Sequence, residues 1–262
     1  MKQDVFFKPI HYNKMLSKYF MNTYYVNFFY EETDFKSKFL EIRNKDAYEN
    51  FDIFFRDEKM WKEGITKEEI DKNIKKMKEA QAVENEKDVN NFLIIFYNKT
   101  LIMMCTIFDI FLVDCAEVII DNNQKTIKAF ANDNDVLLDD LINVDPEDVF
   151  KNIQKKCLKR FDFGGIEDKI KYLNKLGIKK EMLFKFNDKM IKQFPQAEEF
   201  LKKEIYERRH SIVHKNEMSI KNFEDLSKVF NFLNYLIIFW GGLVFTKHFN
   251  ITSDLILNIK DK

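Results

Sequence analysis

Apolar positions recur at three- and four-residue intervals along most of the chain, and this spacing predicts helices throughout. Met15, Tyr19, Phe20 and Tyr24 stand at such intervals near the start. Ile65-Thr-Lys-Glu-Glu69 places a Thr three residues before a Glu, the spacing of a capping box, and predicts a highly charged helix, solvent-facing or linker-like, to about Glu86. From about Asp88 to Asp121 apolar residues cover most of the circumference, which predicts one long helix surrounded by others. The polar, acidic stretch from Asn122 to Pro146 reads as a loop with a short helical piece around Val136 to Ile142.

Further on, Asp145-Pro-Glu-Asp148 supplies an N-cap with Pro in the first turn and opens a basic helix that ends before Gly164-Gly165. A helix from Ile166 to Leu176 follows, stopped at Gly177, then a short one around Glu181 to Phe194. Pro195 opens another, and a last long helix runs from about Ile220 to Lys247. The expected fold class is all-α: a helical bundle over residues 88–262, preceded by a mostly helical extension over residues 1–87. Composition agrees, because six Gly and three Pro leave little to punctuate many short strands.

Charge narrows the picture less. Lys plus Arg equals Asp plus Glu at 43 each, so the chain lacks the global excess of a strongly basic nucleic-acid binder. The charges are nevertheless segregated: Ala131 to Phe150 holds seven acidic residues and no basic one, whereas Lys151 to Lys192 holds 13 basic against 5 acidic. Both read first as solvated faces; a basic strip facing RNA is the second reading. Cys105, Cys115 and Cys157 are odd in number and embedded among apolar neighbours, which points to buried thiols rather than a disulfide framework or zinc site. Met1-Lys-Gln-Asp-Val lacks the pattern of a signal sequence, and a cytoplasmic protein is expected.

Two apolar runs invite a membrane reading. Asn98, Lys99, Asp109, Asp114 and Glu117 interrupt Phe92 to Ile120, and each charge at a bilayer centre costs about 2.5–3.5 kcal/mol, so a core helix is expected there. Val229 to Thr246 is borderline in length and carries Asn231 and Asn234. No membrane partner is expected.

The chemistry concentrates in Glu207-Arg-Arg-His-Ser-Ile-Val-His214. On an ideal helix Phe200, Leu201, Ile205, Tyr206, Ile212 and Val213 form the apolar sector. Arg209 projects into its middle, Arg208 lies at its edge, and Glu207, His210 and His214 share the opposite face. An arginine among apolar residues must find an ion pair or an anionic ligand. Two of the chain's four histidines lie one turn apart here, a spacing that could chelate a metal but lacks a third ligand of matching spacing.

Arg209, four intervening residues and His214 resemble the Arg-x4-His motif of the HEPN superfamily, as do the polar His210 after the arginine and the preceding Glu207-Arg208. Phe108-Asp-Ile-Phe-Leu-Val-Asp114 resembles that superfamily's first core helix, and the resemblance extends from about Asp88 to Phe249. It implies a four- to five-helix bundle, usually a homodimer, and a metal-independent endoribonuclease of toxin or antiphage-defence type that needs no cofactor. His214 would move the proton of the ribose 2′-hydroxyl or leaving oxygen, Arg209 would stabilise the phosphorane, His210 would position the phosphate, and Glu207 and Arg208 would support them. The products would be a 2′,3′-cyclic phosphate and a 5′-hydroxyl.

The alternative is a non-catalytic dimerisation or interaction module of a larger defence or toxin–antitoxin assembly. An active ribonuclease calls for an antitoxin, inhibitor or sensor partner, and residues 1–87 are the natural place for it. Arg209 and His214 lie about 140° apart on an ideal helix, so a second subunit or a helix break near His214 is expected to bring them together.

Overall fold

A computed structural model describes residues 35–56, 61, 64–122, 127 and 145–249. The helices expected around Met15–Tyr24 and Val136–Ile142 lie outside the described residues. Within them the chain is helical, with no strand.

Helix α1 (Phe35–Phe55) runs beside the first half of α2 (Lys67–Asn122). Thr66 and Glu69 close the expected capping box, with Glu69 N–H donating to Thr66 Oγ1 at 3.3 Å and Thr66 N–H to Glu69 Oε2 at 3.0 Å. Those bonds to Thr66 hold the Glu69 carboxyl below its ordinary range. Helix α2 is 56 residues long, about 84 Å at 1.5 Å per residue. The two helices expected on either side of residue 87 are therefore one. The composition changes there, but Glu86-Lys-Asp-Val89 contains neither Gly nor Pro, and nothing stops the backbone.

The two halves of α2 do different work. The first is joined to α1 by Lys78–Asp52 at 2.7 Å, Arg43–Asp88 at 3.1 Å, Asn85 donating to Asn44 at 2.8 Å, and the stacked rings of Phe39 and Phe92. The second buries Leu101, Met104, Cys105, Phe108, Phe111, Leu112, Cys115 and Ile119 at three- and four-residue spacing. Full burial of such side chains contributes about 1.5–3 kcal/mol each, which makes this stretch the axis of the core. All three cysteines are buried free thiols.

Around that axis pack α3 (Pro146–Phe163), α4 (Ile166–Lys175), the short α5 (Lys180–Leu183) and α6 (Asp188–Gln193), and the last helices. Asp145 caps α3 by accepting from Glu147 N–H at 2.9 Å, with Pro146 in the first turn. The single helix expected near Glu181–Phe194 is two short ones, because Asn187 opens α6 by accepting from Met190 N–H at 3.0 Å.

Helix α7 (Ala197–Glu199), a π-helical stretch (Phe200–Glu207) and α8 (Arg208–Lys215) form one uninterrupted rod, the motif helix. Asn216, at φ 55°, ends it in the left-handed conformation, and Glu217 N–H reaches back to Ser211 O at 3.2 Å. The following loop is pinned at Ile220, whose N–H and C=O both bond the buried Asn98 side chain at 3.0 and 2.8 Å. Helix α9 (Phe223–Phe249) closes the bundle. Its Phe223–Val244 stretch is long and apolar enough to cross a membrane, and half of that apolar window is buried against the other helices. Trp240, in the C-terminal third of that stretch, is buried and donates to Leu183 O at 2.7 Å.

Candidate functional site

The motif helix buries one side and opens the other to solvent. Leu201, Ile205 and Ile212 are buried as expected, but Val213, assigned to the apolar sector, is 51% exposed. It lines a cleft instead of packing into the core.

That cleft, of about 480 Å³, has two walls. Tyr206, Glu207, Arg209, His210, Val213 and His214 line one; from Tyr206, the offsets of three, four, seven and eight residues make a single helix face. Gly165, Ile166, Glu167 and Asp168, the start of α4, line the other, with Lys202 at one end. Gly164 permits this turn, since a Cβ there would lie 3.2 Å from Asp168 Cβ and 3.3 Å from Phe161 O.

Arg209 and His214 flank the cleft-facing strip from its two sides, so both open on one cleft of one chain. The wheel angle fixes where a Cα points, and the long arginine side chain makes up the difference. Helix α8 is unbroken from Arg209 through His214; its end comes directly afterwards, at Asn216. The His210 and His214 rings are 4.5 Å apart, exposed, and without hydrogen-bond partners among the described residues. Glu207 borders the cleft on the same side. Among the described residues no group of three or more His, Cys, Asp or Glu comes together to hold a metal.

Arg208 lies elsewhere. Its guanidinium clasps both Asp225 oxygens and donates to Ser219 O at 2.8 Å, joining the motif helix to the loop and to the first turn of α9. It does not line the cleft and acts as a structural tether.

Beneath the cleft is a buried polar cluster that sequence reasoning passed over. Asp109, from the core half of α2, accepts on Oδ1 from Lys169 Nζ at 2.7 Å and from Tyr206 Oη at 2.8 Å. Its Oδ2 lies 3.4 Å from Arg209 Nη1. Lys169 is only 2% exposed. Burial, reinforced by the Asp109 charge, pushes the Tyr206 phenol well above its ordinary range, so it stays protonated and donates. Burial likewise raises the neighbouring Cys105 thiol, which stays neutral. Arg209 makes one ion pair among the described residues, and its buried Nε meets no acceptor.

A signal for this cluster was present in the sequence. Lys169 shares the buried face of α4 with Ile166, Ile170 and Leu173, at spacings of three and four, and a lysine at a core position requires an acid. Asp109, which in the sequence only interrupts an apolar run, is that acid.

Arranged this way, the site offers a guanidinium fork for an anion and two imidazoles for proton transfer, on one face of a solvent-open cleft. Comparison with protein families, with curated proteins and with solved structures finds no match for this chain.

Proposed function

We propose that the chain is a metal-independent endoribonuclease of HEPN type, acting as a toxin or antiphage effector. One observation carries this reading: Arg209, His210 and His214, the residues of the Arg-x4-His resemblance, line a single cleft, with Arg209 backed by Asp109 and both histidines free of other partners among the described residues. In this reading an RNA phosphodiester enters between the motif helix and the start of α4. Arg209 binds a non-bridging oxygen and offsets the charge that grows on the phosphorane. His214 takes the proton of the ribose 2′-hydroxyl as its oxygen attacks phosphorus, and His210, one turn away and in its protonated form, orients the phosphate and gives its proton to the leaving 5′-oxygen. The P–O5′ bond breaks, leaving a 2′,3′-cyclic phosphate and a 5′-hydroxyl. No metal ion is required.

The family's usual pairing makes a homodimer the expected assembly, with two motif helices meeting, and its regulator would be an antitoxin, inhibitor or sensor protein. An RNA oligonucleotide with a single 2′-deoxy sugar at the mapped cut site tests the chemistry. Cleavage there should be abolished while neighbouring sites remain cut. Continued cutting at the deoxy position would rule out 2′-hydroxyl attack.

A further inference from the structure

We infer that Lys169, buried and remote from solvent, is a positioning residue that keeps Arg209 available to an anionic ligand by occupying Asp109; the inference rests on reading the cleft as a phosphodiester site. Asp–Arg pairs left to themselves are frequently bidentate, with two short parallel bonds. Here the carboxylate is held otherwise. Oδ1 carries both Lys169 Nζ at 2.7 Å and Tyr206 Oη at 2.8 Å, while the Arg209 contact to Oδ2 is single and, at 3.4 Å, beyond the usual 2.7–3.2 Å range.

The charge count points the same way. Lys169 and Arg209 carry one formal positive charge each and Asp109 one negative, so the cluster keeps one positive charge beside the cleft. Its members are largely withdrawn from water: the Lys169 side chain is 2% exposed, that of Asp109 14%, that of Arg209 35%. An unbalanced charge in such surroundings is costly unless a counter-ion meets it, and the only one of the three that lines the cleft is Arg209. A phosphate oxygen in the cleft supplies that counter-charge. Without the Lys169 ammonium, Asp109 would close on Arg209 as a neutral pair, and Lys202, already paired with Glu167 and Glu198, would be the other cation lining the cleft.

The test compares wild type with Lys169→Met, the double variant Asp109→Asn/Lys169→Met and Arg209→Ala, each checked by thermal melting. Binding of a 2′-O-methyl RNA decamer, which cannot be cut, is read by fluorescence anisotropy, and cleavage of the unmodified decamer is read in parallel. Lys169→Met should weaken binding by about tenfold or more, the worth of a charge-assisted hydrogen bond, and approach Arg209→Ala. The double variant, with no carboxylate left to capture Arg209, should recover most of the lost affinity. A merely structural lysine predicts no such rescue.

Wild-type binding by Lys169→Met overturns the inference, as does a folded double variant that binds no better than Arg209→Ala. If Lys169→Met fails to fold, the double variant is compared with wild type and Arg209→Ala alone: affinity near wild type supports the inference, and affinity near Arg209→Ala overturns it. Failure of both to fold also overturns it, because Lys169 is then a structural element. The predicted binding pattern without any cleavage of unmodified RNA would sink the ribonuclease reading and leave this inference standing. Cleavage without the binding pattern would sink this inference alone.

Discussion

Arg208 grips both carboxylate oxygens of Asp225 across 17 residues of sequence, and so fixes the helix carrying His210 and His214 to the first turn of α9. The neighbouring Arg209 instead opens on the cleft, so two adjacent arginines in one motif have separate tasks. Arg208→Ala should cost about 2 kcal/mol, the scale of hydrogen bonds to charged groups at a partly exposed site. The melting temperature should fall by about 4–8 °C. An unchanged melting curve would contradict the tether.

Asn98 makes a second tether that the sequence presents as an Asn98-Lys-Thr100 glycosylation sequon. It is fully buried, and its amide bonds both backbone groups of Ile220. Asn98→Ala should leave that N–H and C=O unpaired at about 1–3 kcal/mol each, and speed hydrogen exchange at the Ile220 amide. Exchange at Ile220 as slow as in wild type would show that something else holds the loop.

The buried acids beside the site give stability a definite dependence on alkaline pH. Tyr206 and Cys105 ordinarily ionise near 10.0 and 9.0, and burial raises both in the folded chain. Above about pH 9 the unfolded chain therefore sheds protons that the folded chain retains. Stability from these groups is complete below that pH and declines as pH rises. The melting temperature should drop steadily between about pH 9 and 11. Tyr206→Phe should melt lower at neutral pH, having lost its bond to Asp109, but with a flatter decline; an equally steep decline would remove Tyr206 from the explanation.

Local chemistry made much of the fold legible. Thr66–Glu69, Asp145-Pro146, Gly164 and Gly177 mark helix ends through caps and turns that depend on a few adjacent residues. The apolar run through Phe108 and Phe111 announces a core helix by its spacing alone. What remained hidden depends on packing between distant segments. The π-helical register of Phe200–Glu207 is a property of the backbone in its packed setting, and the exposure of Val213 likewise depends on what packs against that side of the helix. The partnership of Asp109 with Lys169 joins residues 60 apart in sequence, each of which looks like an isolated exception in its own helix. His210, His214 and Glu207 were legible because they share one helix.

Whether Arg209 and His214 cut RNA from one cleft is read by incubating purified wild type, Arg209→Ala and His214→Ala with RNA in excess EDTA. Wild type should cleave and leave 2′,3′-cyclic phosphate ends, and each variant should be slower by at least about a hundredfold, the scale of general acid–base and electrostatic contributions. Equal cleavage by all three, or none by wild type, would contradict the account.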